Sequence, residues 1–195
     1  MAEEVVLTGR FVQLRPLRVE DAAMTVAWRT GERARLLNQG ALNAGQQAEW
    51  ISSRPPNEHN FLICLMGGRP VGMLSITGID LVNRRGEPGR FLIGDEAAVR
   101  GIPVAAEATK LLYDFAFDTL GLERVYGTVV AGNPLMAKWQ KYLGMREEGR
   151  LRRHYFIDGR FQDAIMFGLL REEYRESMLP RLNALIALAE PAPVG

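Results

Sequence analysis

Apolar and polar positions along this chain fall into segments with clearly different periods. Phe11-Val12-Gln13-Leu14-Arg15-Pro16 alternates as an edge strand does, and Glu20-Asp21 opens a helix running through Trp28. Asn43, followed by Gln46 three residues on, resembles a capping box for a second helix reaching about Ser52. Three strand-like runs follow, at residues 61–66, 70–80 and 89–93. Gly67-Gly68 joins the first two as a hairpin turn, so an antiparallel meander is predicted. Val104, Ala108, Leu111, Leu112, Phe115 and Ala116 then recur at helical spacing with Lys110, Asp114 and Asp118 opposite, which predicts an amphipathic helix ending near Gly121. Residues 124–130 read as a buried strand, and residues 134–143 as a helix with proline in its first turn and Gly144 as its stop. Two more strands, at about 149–157 and 161–170, flank the turn Asp158-Gly159. Beyond about Arg171 the pattern is that of a short helical tail whose last residues, 190–195, are expected to fray. This order predicts an α+β fold on a mixed sheet, with a main domain over residues 1–172 and a tail over 173–195.

Composition narrows the function classes. With 195 residues, 47% hydrophobic and 24% charged, the chain can bury a core without disulfide or metal staples. A formal charge of +1 argues against a nucleic-acid or membrane partner held by bulk electrostatics, so an anionic ligand has to be held locally. The single cysteine, Cys64, lies in the apolar run Phe61-Leu62-Ile63-Cys64-Leu65-Met66. It reads as a buried structural thiol, and a reducing compartment is natural. Two histidines, His59 and His154, with no Cys/His cluster leave little for a zinc site. Neither a signal peptide nor a bilayer-length apolar stretch is visible, and a cytoplasmic location is expected.

The stretch AAVRGIPVAAEATKLL, residues 97–112, carries the first chemical signal. A strand ending at about Ile93, a short loop and a helix starting near Val104 present backbone N–H groups and a positive dipole end, which is an anion site. On this stretch alone, a plain turn at Arg100-Gly101 with Pro103 starting the helix is an equal reading. The ordered segments VRGIPVAAEA, YDFAFDTLGLERVYGTVVAGN and KYLGMREEGRLRRHYFIDGRFQDAIMFGLL go further. Together they resemble the GCN5-related N-acetyltransferases (GNAT), in particular the branch of RimJ/RimL-type ribosomal-protein acetyltransferases and the bacterial amino-sugar-nucleotide N-acetyltransferases. The resemblance runs from about Leu7 to Leu170.

That resemblance implies a mixed sheet with a splayed strand pair and an acetyl-CoA cleft between the two strands. The family's pyrophosphate loop is written [RQ]-x-x-G-x-[GA]. Arg100 and Ala105 match it, whereas Pro103 replaces the central glycine and removes one donor. The amides of Gly101, Ile102, Val104, Ala105 and Ala106 are left to hold the cofactor. A hydrogen bond to a charged group contributes about 1.5–3 kcal/mol, so the proline could weaken CoA binding by roughly ten- to a hundredfold. Leu92 and Ile93 match the strand end whose backbone pairs with pantetheine, and Asn133 matches an asparagine that helps order the cofactor; Asn133 reads equally as a helix cap before Pro134. Many members place a tyrosine seven residues after that asparagine as acid for the leaving thiolate. Here the position is Gln140, and Tyr142 lies too far around the helix to substitute.

Direct attack of an amine on a thioester needs a base but no enzyme nucleophile. Glu87, in NRRGEPGRFLIG, stands where the resemblance places a glutamate facing the acceptor; a solvated loop charge beside Arg84, Arg85 and Arg90 is the competing reading. His154 ranks second as the other group titrating near neutral pH. The segment from Trp28-Arg29 through Asn38 to Trp50-Ile51 resembles the acceptor-shaping helix-loop-helix of the amino-sugar enzymes, with Trp28 and Trp50 read as core anchors. Arg33 and Arg35, like Arg150, Arg152 and Arg153, fit either a phosphate or a solvated face; strand alternation would set Arg150 and Arg152 on one side and Arg153 on the other. The expectation is an acetyl-CoA-dependent transferase acting on the primary amine of a small molecule, an amino sugar or a sugar nucleotide. Transfer to a protein N-terminus is the enzymatic alternative, and a non-catalytic acyl-CoA-binding protein is the rival that Pro103 and Gln140 motivate. Homodimers are common in families of this resemblance.

Overall fold

The computed structural model describes residues 5–37 and 40–189. Eight strands form one sheet: β1 (Leu7–Thr8), β2 (Val12–Pro16), β3 (His59–Leu65), β4 (Pro70–Asp80), β5 (Arg85–Ile93), β6 (Arg124–Val130), β7 (Arg146–Ile157) and β8 (Arg160–Leu170). Their spatial order is β1-β2-β3-β4-β5-β6-β8-β7, and every neighbouring pair is antiparallel except β5 with β6. Helices α1 (Ala22–Arg29) and α2 (Ala44–Ser52) precede β3, α3 (Val104–Asp114) connects β5 to β6, and α4 (Pro134–Leu143) follows β6. After β8, α5 (Arg171–Glu173) runs through a π turn (Tyr174–Met178) into α6 (Leu179–Ala187). This is the α+β arrangement with a mixed sheet that the segment order predicts, and α3 is the crossover that a parallel pair requires.

Alternation along the strands sorts their side chains onto two cores. Phe61 and Ile63 of β3, with Leu74 and Ile76 of β4, point to the side that α3 covers with Val104, Ala108 and Leu112, and the turn after it with Phe115. Leu62, Cys64 and Met73 point to the other side, where Leu17, Ala22 and Ile51 meet them. Burial on both faces explains why β3 reads as an unbroken apolar run although it is antiparallel. Cys64 is thus a buried core thiol, as expected, and burial pushes its pKa up. Tyr174, Met178 and Leu182 of the C-terminal helical segment are buried in the α3-side core, and the Tyr174 hydroxyl bonds Asp114 at 2.6 Å. Residues 190–195, and Asn38 in the acceptor segment, lie outside the described residues.

Most boundaries follow the sequence pattern, and the differences have local causes. Asn43 caps α2, accepting from the Gln46 amide at 3.0 Å, but the Gln46 side chain returns to the amide of Leu42 rather than of Asn43. The amphipathic helix that was expected to end near Gly121 is α3 extended by a π turn, Phe115–Thr119, with Gly121 at φ +66°. β5 begins at Arg85, four residues before the predicted strand. Gly86 and Pro88 look like loop residues in sequence, yet a Cβ at Gly86 would stand 3.0 Å from Leu122 and 3.1 Å from Ile76, so glycine is what the close packing admits.

One buried carboxylate ties the crossover helix to the sheet edge. Glu107, in the first turn of α3, accepts from the amides of Arg10, Phe11 and Val12 at 2.7, 2.7 and 2.8 Å. Removing it would strand the two buried donors of Phe11 and Val12 and take the acceptor from the part-buried amide of Arg10. Glu107→Ala is expected to cost about 3–5 kcal/mol, lowering the thermal midpoint by roughly 10 °C, with a smaller loss for Glu107→Gln. Urea titration of both variants checks this; a loss under about 1 kcal/mol for the alanine variant would contradict it.

Candidate active site

The parallel pairing of β5 and β6 covers only Arg85 with Arg124 and Gly86 with Val125. Pro88 follows, with no N–H to carry the ladder on. Beyond it β5 bulges: Met73 pairs with Leu92 and Ser75 with Gly89, so Arg90 and Phe91 oppose Leu74 alone, and Arg90 takes a φ of +52°. The edge of β5 at Leu92 and Ile93 therefore has no β6 partner, although neither residue lines the two cavities beside it. A cavity of about 80 Å³ opens there between Phe91, Leu112, Tyr113 and the α4 side chains Met136, Trp139 and Gln140. It shares Pro88, Gly89 and Met136 with a second cavity of about 250 Å³, lined also by Glu87, Arg90, Thr128, Asn133 and Tyr155.

Glu87 lies in β5 with its carboxylate lining the larger cavity and half-buried, so the solvated loop reading does not hold. Burial pushes its carboxyl above the usual carboxylate range, against the opposing pull of Arg90 and of His154. His154 is exposed near the cavity and does not line it. Its neighbour Tyr155 does: β7 bulges between Leu151 and Tyr155, with Arg153 at φ +52° and its amide on Asp163. The bulge interrupts the alternation expected for Arg150, Arg152 and Arg153, and brings the Tyr155 hydroxyl to 2.5 Å from Thr128 Oγ1 beside Glu87.

The loop into α3 is partly closed on itself. The Ile102 amide donates to Val99 at 3.0 Å and the Val104 amide to Ile102 at 2.8 Å, so two of the five amides expected to face an anion are already used. Pro103 is the residue before the helix, one earlier than the first-turn position where proline is favoured, and Glu107 makes the first helical bond to it. Ala105 and Ala106 thus keep first-turn amides that have no acceptor within the helix. Gly101, at φ +74°, supplies the left-handed turn that precedes them, and Arg100 is exposed beside it. Asn133 caps α4, accepting from the Met136 amide at 3.1 Å, and lines the larger cavity as well, so both of its readings are compatible. Gln140 stands in the smaller cavity with its amide on Met136 Sδ, while Tyr142 is half-exposed and stacks on Trp139.

Two contributors have no separate signal in the sequence. Arg90 reaches Glu58 at 3.1 Å and Asn60 at 2.8 Å and covers the ring of Trp50 at 5.0 Å. Tyr155 enters through the bulge, which period-2 reading hides. Trp28 and Trp50 pack against the smaller core as expected, though Trp50 also lines a third cavity. Arg33 pairs with Glu96 and Arg35 with Asp158, which makes both ordinary surface ion pairs.

A carboxyl whose folded pKa lies above its unfolded value weakens the fold where it is ionised. That penalty is absent below about pH 4.3, the unfolded glutamate value, and grows as pH rises toward the folded one, above which it is complete. Glu87→Gln is therefore expected to raise the thermal midpoint of the ligand-free protein at pH 8 and to leave it unchanged near pH 4. Calorimetry at the two pH values decides; a variant that melts lower at pH 8 would refute the assignment of Glu87 as a desolvated carboxylate.

Comparison with known proteins agrees with this geometry. Residues 12–146 match the family model described as the acetyltransferase (GNAT) domain. Among curated proteins, the chain is 33% identical over 110 residues to the Bacillus subtilis protein named "Putative ribosomal N-acetyltransferase YdaF", covering 56% of this chain and 58% of that one. It is 30% identical over 107 residues to spermidine N(1)-acetyltransferase of Escherichia coli K12, covering 55% of this chain and 56% of that one. The match thus spans little more than half the length of either relative. A GCN5-related N-acetyltransferase from Brucella melitensis superposes with a TM-score of 0.75 at 26% identity, covering 98% of this chain and 87% of that one. The splayed strands, the helix start beside them and the match over most of the sheet carry one conclusion: this chain belongs to the acetyltransferase (GNAT) family and carries its N-acetyltransferase domain.

Proposed function

We propose that the protein moves acetyl from acetyl-CoA to the primary amine of a small molecule, by direct attack, with Glu87 as the base. The observation that carries this is the desolvated Glu87 carboxylate in the wall of a cavity that opens where β5 and β6 part. The residues present suit acetyl-CoA: the unpaired edge at Leu92 and Ile93 offers backbone groups to pantetheine, and the amides of Gly101, Ala105 and Ala106, beside Arg100, offer donors to a pyrophosphate. Asn133 and Gln140 border the slot between them. Bound acetyl-CoA would supply the activated carbonyl that the amine attacks.

Glu87 attracts the ammonium form of the acceptor and takes its proton, and its raised pKa makes it a stronger base than a solvated carboxylate. His154 stays near enough for its charge to favour the ionised carboxylate, a positioning part and not a contact with substrate. Tyr155 and Thr128 place hydroxyls in the same cavity, where they can hold the acceptor. An amino sugar or sugar nucleotide is the proposed acceptor. Similarity to a protein named as a ribosomal N-acetyltransferase keeps a protein N-terminus as the second reading, and a panel of free amino sugars against N-terminal peptides separates the two.

Acetyl-CoA at a hundredfold excess over its dissociation constant is expected to stabilise the protein by about 2.7 kcal/mol, a readily measured thermal shift. Its absence would mean that Pro103 has cost the site its cofactor. Glu87→Gln should keep that shift and lose roughly 10²–10⁴ in kcat/KM, with the loss shrinking toward low pH, where the wild-type carboxyl is itself protonated. Full activity in the variant would remove Glu87 from the chemistry. A shift without transfer to any amine would favour the non-catalytic acyl-CoA-binding reading.

A further inference from the structure

Next to the Glu87 cavity lies another of about 340 Å³, lined by Arg29, Gly40, Ala41, Gln47, Trp50 and Arg90. Arg90 is common to both, so the two cavities adjoin at its side chain. No aspartate or glutamate lines this cavity among the described residues. Glu58, which meets Arg90 at 3.1 Å, is not among its lining residues. The Arg29 and Arg90 guanidinium groups are close enough for the charge on Arg90 to depress the Arg29 pKa, after the larger effect of burial. Gly40 lies against the Arg29 guanidinium, where a Cβ would stand 3.3 Å from Nε. Trp50 supplies a flat wall under Arg90.

Two guanidinium groups line one cavity; Nη1 of Arg90 is held by Glu58 and Asn60, which leaves its Nε and Nη2 donors, with the Arg29 guanidinium, to match a phosphate or a carboxylate. A polyamine would bring a second ammonium against them where no carboxylate among the described residues lines the cavity and Glu58 is already engaged by Arg90. We propose that this cavity is an oxyanion subsite for the acceptor: the substrate is a small amine that also carries a phosphate or carboxylate, with its amine at Glu87 and its oxyanion on Arg29 and Arg90. The amine end of this assignment rests on the proposed function; the anion end stands on the cavity alone. It sets the chain apart from its spermidine-acetylating relative in the charge of its acceptor.

The test uses two matched pairs and one polycation: glucosamine 6-phosphate with glucosamine, glycylglycine with glycylglycine amide, and spermidine. Binding is read by isothermal titration, and transfer by release of free CoA thiol. The anionic member of at least one pair is expected to bind at least tenfold tighter than its neutral partner, with spermidine weakest; which pair responds tells phosphate from carboxylate. Arg29→Gln should erase that preference, while Arg29→Lys, which keeps the charge but loses the fork, retains part of it. The acetyl-CoA thermal shift reports whether each variant is folded, and the wild-type pairs decide alone if neither is. Equal binding within both pairs, or tightest binding of spermidine, overturns the proposal. An anionic preference in binding without transfer would leave the subsite standing and remove the proposed reaction. Transfer with no anionic preference would do the reverse.

Discussion

Everything that makes this sheet more than a scaffold follows from how early β5 and β6 stop pairing. Two residues of parallel ladder hold the strands together, and Pro88 then interrupts the supply of amides on the β5 side. An unpaired strand edge inside a protein is costly unless something else takes up its polar groups. Here the opening is kept by structure on both sides of it. β6 is held by β8 along its whole length, from Arg124 with Leu170 to Val130 with Ala164, and β5 is held by β4 through to Ile93. Neither strand can lean across to close the gap without giving up pairs it already has, so the ladders on either side hold the two strands apart.

The same strand solves a second problem with its bulge. Without the extra residue, period-2 alternation would continue undisturbed past Gly89. The bulge places Arg90 in a left-handed conformation that a non-glycine residue seldom adopts, and the side chain secures it through Glu58, Asn60 and the face of Trp50. One residue therefore links the two adjoining cavities to the second, smaller core, where Trp50 packs. β7 does something similar with its own bulge, which brings Tyr155 to Thr128 across from Glu87. Both walls of the site are thus aimed by irregularities in strands whose regular parts are held by their ladders, β5 by β4 and the largely exposed edge strand β7 by β8.

That division explains what could be read in advance. Strands β3, β4, β6 and β8 were legible from their apolar runs, α3 from the period of its buried stripe and α4 from Pro134 and Gly144, with turn residues such as Gly67-Gly68 marking ends. Glu87 and Asn133 could be singled out only through family resemblance; nothing in their spacing distinguishes a desolvated carboxylate from a loop charge. Arg90 and Tyr155 were not legible as cavity-lining residues, because a bulge shifts which face a side chain takes and an isolated sequence carries no mark of it. Glu107 was hidden for a different reason: a glutamate in the first turn of a helix is ordinary, and its three amide partners lie almost a hundred residues away.

Pro103 shows how such constraints combine. A glycine at that point would leave an additional amide for an anion, but it would also leave the loop freer in the unfolded chain. The loop already uses the amides of Ile102 and Val104 internally, and Gly101 alone provides the positive φ that the turn needs. With α3 pinned from its first turn by Glu107, the helix start needs little help from a flexible loop to find its place. The proline thus fits a site whose geometry is set by the helix and the strand edge, with fewer donors held more rigidly. Rigid donors lose less entropy when a ligand arrives, so the number of amides and their freedom to move trade against each other at the same few residues.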